Sequence, residues 1–131
     1  MSNVTILKQL DFERLSVALR SDGLAWVKIR NDDEVDVEQV KQIVGALREL
    51  GEGKKFPMLV TSSKHTVPTA EARAYVASAG SNPYASAEAY VLQSFSQKLV
   101  GNVYMKLNKP VRPTWMFTSE TKAVEWLKTF L

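Results

Sequence analysis

The chain has 131 residues and a mass of 14.7 kDa, which fits one domain spanning residues 1–131, because chains split into several cores only well beyond this length. Hydrophobic residues make up 45% and charged residues 24%, enough apolar surface for a packed core and too much for a disordered chain. Cysteine is absent and the formal charge is only +3, which excludes disulfides, thiolate metal sites and cysteine nucleophiles and leaves no strong electrostatic bias toward nucleic acid.

Met1 to Lys8 lacks the basic lead and apolar run of an export signal. The longest uncharged stretches are too short and too interrupted to cross a bilayer, as Ala74 to Ala87 shows with its Gly80, Asn82 and Pro83. The expectation is a soluble cytoplasmic protein.

In chain order, Thr5 to Leu10 offers a short edge strand. Leu15, Val17 and Leu19 then alternate with Ser16, Ala18 and Arg20, and Leu24, Trp26, Val27 and Ile29 continue the pattern after Asp22-Gly23. An Asp-Gly pair between two alternating runs predicts an antiparallel hairpin. From Val37 the period becomes helical: Val37, Val40, Ile43, Val44, Leu47 and Leu50 share one stripe, Asp36 can cap the start, and Gly51 is placed for a left-handed C-cap. Phe56 to Thr61 is a continuous apolar run, as expected of a parallel strand covered on both faces.

Ser62 to Pro68 reads as a polar loop, and Thr69 to Ala77 as a second helix capped by Thr69. Ala87 to Leu92 alternates again, with Ala87, Ala89 and Val91 on one side and Glu88, Tyr90 and Leu92 on the other. Phe95, Leu99, Val103 and Leu107, joined by Val100, mark a third helix that must stop before Pro110, with Asn108 as its terminator. Pro113 to Phe117 is a short strand. Ser119 or Thr118 caps a last helix whose Ala123, Trp126, Leu127 and Phe130 share a face. The predicted architecture is α/β: a mixed, mostly parallel sheet of four to five strands opening with an antiparallel hairpin, and about four helices.

This order resembles the SpoIIAA-like, or STAS, domain over nearly the whole chain. The tail Lys109-Pro110-Val111-Arg112-Pro113-Thr114-Trp115-Met116-Phe117, followed by Glu120, Ala123 and Trp126-Leu127, and the string Glu71 to Tyr75 are similar to an uncharacterised group of short bacterial members. The resemblance implies a regulatory, protein-interacting domain without catalytic machinery, metal or cofactor. Signalling members carry a phosphorylatable serine, after an aspartate, at the start of the helix that follows the central strand. The matching region here has no Asp-Ser pair. Thr69 is the nearest positional match, although an N-cap role accounts for it. The implied partner surface is the loop with Ser62, Ser63, Lys64, His65 and Thr66, continued by Thr69 and Arg73, the last able to anchor an acid or phosphate. Another branch resembles lipid-binding folds, so a small apolar ligand or lipid in a groove beside the helices is an alternative.

A third reading is a serine hydrolase using Ser62 or Ser63 with His65, the sole histidine. No nucleophile-elbow or Ser-x-x-Lys spacing accompanies these residues. Gly51-Glu52-Gly53-Lys54-Lys55 joins a helix to a strand, the wrong order for a phosphate cradle. The acidic run Asn31 to Glu34 with Asp36 lacks the glycine and closing glutamate of a calcium loop and suits a helix entry. Between Glu88 and Glu120 stand Lys98, Lys106, Lys109 and Arg112 and no acid, interleaved with Phe95, Tyr104 and Trp115. An anionic partner could land there, but four cations are fewer than nucleic-acid binders typically use. An exposed apolar edge or helix would call for cover, for which a homodimer is one solution.

Overall fold

The computed structural model describes residues 3–131; Met1 and Ser2, the start of the segment searched for an export signal, lie outside the described residues. The elements run β1 (Ile6–Asp11), β2 (Leu15–Arg20), β3 (Ala25–Ile29), β4 (Glu34–Val35), α1 (Val37–Gly51), β5 (Phe56–Thr61), β6 (Val67–Pro68), α2 (Ala70–Ala77), β7 (Ala85–Val91), α3 (Phe95–Val103), a π-helical turn (Tyr104–Asn108), β8 (Thr114–Phe117) and α4 (Glu120–Lys128). Six strands form one sheet in the order β1-β2-β3-β5-β7-β8, and β4 pairs with β6 in a separate two-stranded ribbon. β1, β2 and β3 are antiparallel; the pairings β3-β5, β5-β7 and β7-β8 are parallel.

The predicted hairpin is present: Val17 lies opposite Val27, and Gly23 takes φ +90°, which a residue with a side chain adopts only under strain. The sheet exceeds the expected four to five strands because the Thr5–Leu10 edge strand forms as β1. That strand is mostly exposed, so burial left little periodicity in it. It is held by its ladder to β2, which carries a bulge between Ile6 and Lys8. The β4-β6 ribbon was not predicted, because two-residue strands carry no periodic signal.

β3, β5, β7 and β8 are joined by α1, α2 and α3, which pack on one face of the sheet, while α4 covers the other. On the first face Leu15, Val17, Val27, Met58 and Val60 meet Val40, Ile43 and Leu47 of α1. On the second, Leu24, Leu59, Ala87 and Ala89 meet Ala123 and Leu127 of α4. The alanines let α4 lie close to the central strands, and Trp126 adds an edge contact to Phe130 and a tilted one to Phe117.

Asp36 caps α1 as predicted, accepting from the Gln39 amide while the Gln39 side chain returns to the Asp36 amide. The C-terminus differs from expectation. The left-handed residue is Glu52, at φ 53°, and Gly51 still belongs to the helix. Gly51 is needed for space instead: a Cβ there would sit 2.4 Å from the Phe56 ring. Gly51→Ala is therefore expected to destabilise the fold by about 1–3 kcal/mol, although alanine is intrinsically the better helix former by about 1 kcal/mol. A urea titration that shows Gly51→Ala to be more stable than wild type would contradict this packing account.

The third helix forms where the spacing predicts it, but the spacing leaves open which side faces the sheet. Phe95, Leu99, Val103 and Leu107 do share a face, but that face points outward, with Phe95 74% and Leu107 76% exposed. The inward face is Gln97, Gly101 and Tyr104. Gly101 admits Leu92 and Met116, which would lie 3.3 and 3.4 Å from an added Cβ, and Gln97 is drawn in by hydrogen bonds described below. The helix ends on Lys109, left-handed at φ 51°, rather than on Asn108.

Candidate functional site: a cavity under α2 and α3

Between the sheet and the three helices of its first face lies a partly open cavity of about 140 Å³. Its walls are chiefly apolar: Ile43 and Val44 from α1, Val60 from β5, Val76 from α2 and Val100 from α3. Polar groups enter from Arg73 on α2, from Glu88 and Tyr90 on β7 and from Tyr104.

Glu88 is wholly buried. Period-two alternation put Glu88 and Tyr90 on the side opposite Ala87 and Ala89, and the structure keeps that alternation. Glu88 is inside because both faces of β7 are covered, a consequence of α4 taking the alanine face. A lone buried carboxylate would be strongly disfavoured, and Arg112 answers it. Arg112 Nη1 lies 2.5 Å from Glu88 Oε2 and also donates to the Val76 carbonyl at 2.9 Å, while Nη2 donates to Ser81 Oγ at 3.1 Å. The Tyr90 hydroxyl donates to the other Glu88 oxygen. Burial raises the Glu88 carboxyl above its ordinary range, with the Arg112 charge and the two hydrogen bonds opposing. The same burial, reinforced by the Glu88 charge, raises both Tyr90 and Tyr104 well above the ordinary phenol range. Arg112, grouped with the surface lysines in the sequence, thus belongs to an internal clamp that fixes the Pro110–Pro113 segment to the end of α2. Only the lysines of that group are exposed.

The loop after β5 is tied down from two sides. Gln97 Nε2 donates to the Ser63 and Thr66 carbonyls, each at 2.8 Å, and more distantly to Ser62 Oγ. Ser63 Oγ donates to Asp32 at 2.6 Å and shares a hydrogen bond with Thr66 Oγ1, which in turn donates to the Asn31 carbonyl at 2.5 Å. Thr66 is buried, whereas Lys64 and His65 form an exposed tip. No hydrogen bond joins His65 to Ser62 or Ser63 among the described residues; the Ser63 hydroxyl is engaged by Asp32 and Thr66. Thr69 caps α2, accepting from the Ala72 amide at 3.0 Å. Arg73 is half-buried and donates through Nη1 to the Pro68 carbonyl at 3.1 Å. The seven predicted site residues are therefore split: Ser62, Thr66 and Arg73 line the cavity, Ser63 braces the loop, Thr69 caps a helix, and Lys64 and His65 face solvent.

The acidic run before α1 is similarly engaged: Asp33 accepts from Asn31 and pairs with Arg14, Asp32 accepts from Ser63, and Asp36 is the cap. Among the described residues no cluster of three or more metal-ligating side chains is present, and no helix is long and apolar enough to cross a membrane.

Sequence reasoning missed Glu88 and Arg112 as partners and Gln97 as the loop's brace. A signal did exist for the first pair, since a lone acid on a strand whose other face is small and apolar, Ala87, Ala89 and Val91, sits where both faces are covered. None marked Gln97, whose partners are distant backbone carbonyls.

An antiparallel hairpin leading into a parallel sheet, with three helices on one face and one on the other, defines a SpoIIAA-like fold. Comparison with solved structures agrees: an uncharacterised protein of the DUF3478 family with a SpoIIAA-like fold from Shewanella loihica PV-4 superposes with a TM-score of 0.51 at 13% identity, over 97% of this chain and 98% of the other. The family model of a domain of unknown function, DUF7793, matches residues 18–131, and the chain belongs to that family. No curated protein matches it.

Proposed function

We propose that the protein is a non-enzymatic interaction module of a bacterial cytoplasmic regulatory pathway, which docks an acidic amphipathic helix of a protein partner along the outer face of α3. The observation that carries this reading is the outward apolar stripe. Phe95, Leu99, Val103 and Leu107 are all exposed, and a contiguous exposed apolar patch usually marks an interface. Lys98, Lys106 and Lys109 are exposed along the same segment, and no acid occurs between Glu88 and Glu120. Apolar anchors at helical spacing suit a second helix laid alongside. Flanking lysines would favour acids on that helix, accelerate its approach, and repel a second copy presenting the same face. The loop tip with Lys64 and His65 adjoins the N-terminal end of α3 through Gln97 and extends the basic rim.

The test is a photo-crosslinker placed at Leu99 in cells of the native host, followed by identification of the joined peptide. The expected product is a helix with acids flanking its apolar face. Binding to that partner should fall at least tenfold in Lys98→Glu/Lys106→Glu and return when the partner's acids are changed to lysine. Failure of that rescue would overturn the reading. So would sedimentation showing self-association abolished by Leu99→Glu, or flotation with anionic phospholipid vesicles that the same variant abolishes.

A further inference from the structure

Independently of that surface, we infer that the cavity under α2 and α3 is a binding site for a compact carboxylate with an apolar body. Two observations carry this. First, the cavity holds about 140 Å³ between mostly apolar walls, close to the roughly 150 Å³ that admits a benzene molecule. That admits a single ring or a short branched or straight chain and is too small to enclose a long acyl chain, which narrows the apolar-ligand alternative read from the sequence. Second, two residues lining it, Arg73 and Tyr104, carry a buried polar atom without a hydrogen-bond partner among the described residues, Arg73 Nε and Tyr104 Oη. Tyr104 is only 5% exposed, and buried polar groups are nearly always paired.

The chemistry of the pair selects the ligand. Arginine Nε–H is a donor only, and a tyrosine hydroxyl can donate as well, so the matching group is an acceptor. Charge selects further. Arg112 is matched by Glu88, whereas Arg73 makes no ion pair with any carboxylate among the described residues. The pocket therefore retains one uncompensated guanidinium, and a guanidinium beside an apolar wall recognises a carboxylate by charge-assisted hydrogen bonds. The carboxylate is placed against Arg73 and Tyr104, and the apolar body against Ile43, Val60 and Val100.

The probes are sodium benzoate and sodium hexanoate, with toluene and 1-hexanol as neutral counterparts, titrated into the intact protein by calorimetry and by amide chemical shifts. At least one carboxylate is expected to saturate a single site at least tenfold more tightly than its neutral counterpart, with the largest shifts on α2 and around Tyr104. Tyr104→Phe removes a hydroxyl that has no partner among the described residues, so the variant should fold normally and bind the carboxylate at least tenfold more weakly; Arg73→Met should do the same. Neutral counterparts binding as tightly, no carboxylate binding, or Tyr104→Phe retaining wild-type affinity would each overturn the assignment. Lys98→Glu/Lys106→Glu should bind the probe unchanged, which keeps the two proposals separable.

Discussion

Arg112→Met is expected to lower the free energy of unfolding by about 3–5 kcal/mol, because removing one member of a buried pair leaves the other charge uncompensated. Glu88 is wholly buried, and Arg112 is its single ion-pair partner among the described residues. The arginine also holds the Val76 carbonyl and Ser81, so its loss frees the segment before β8 as well. Replacing both members with apolar side chains, Glu88→Leu with Arg112→Met, should restore most of the loss, since apolar substitutes for a buried pair are often neutral or better. The pH dependence supplies a second readout. Burial raises Glu88 and Arg112 opposes that, so removing the arginine moves the folded-state pKa further above the ordinary value. The stabilisation of the protonated form is present below the unfolded-state pKa and lost as pH rises through the folded one. Arg112→Met should therefore be relatively more stable in mild acid than at neutral pH. Urea titrations across that range decide the matter, and a single-variant loss below about 1 kcal/mol would sink the clamp.

The second large effect is expected in alkali. Tyr90 and Tyr104 both have folded-state pKa values above the ordinary phenol value of 10.0, so the native state keeps both protons where the unfolded chain releases them. Their contribution is complete below about pH 10 and is lost as the pH climbs toward the folded values. Each retained proton steepens the fall in stability by about 1.4 kcal/mol per pH unit, and the pair by about 2.7. Denaturant titrations above pH 10 should show that slope, with Tyr90→Phe and Tyr104→Phe each removing roughly half of it. A slope unchanged in both variants would place the alkaline sensitivity elsewhere.

What the sequence disclosed tracks how much of each signal was local. The Asp22-Gly23 turn, the Asp36 cap and the apolar run Phe56–Thr61 are decided by neighbours a few residues away, and all three stand as predicted. The helical period of Phe95 to Leu107 was legible, but its orientation was not. Periodicity reports that an apolar stripe exists, and the inward face was set by Gln97 reaching carbonyls about 30 residues earlier and by Gly101 letting Leu92 and Met116 close in. The same limit hid the cavity. Arg73 was singled out as an anchor from its place on α2, yet its relation to Tyr104 depends on how α2 and the π-helical turn meet. Glu88 and Arg112 are 24 residues apart, and nothing local to an alternating strand position or to a member of a basic stretch shows that covering β7 on both sides brings them together.

The bulge in β1 has a consequence for the molecule among its own copies. An open sheet has two outer rims, and each offers free amides and carbonyls to any passing strand. On one rim the bulge between Ile6 and Lys8 breaks the regular spacing such a strand would need, with Lys8 and Asp11 adding charge. On the other, β8 is only four residues long and follows Pro113, which has no amide to offer. The sheet is thus blunted at both ends against ribbon-by-ribbon growth into fibres.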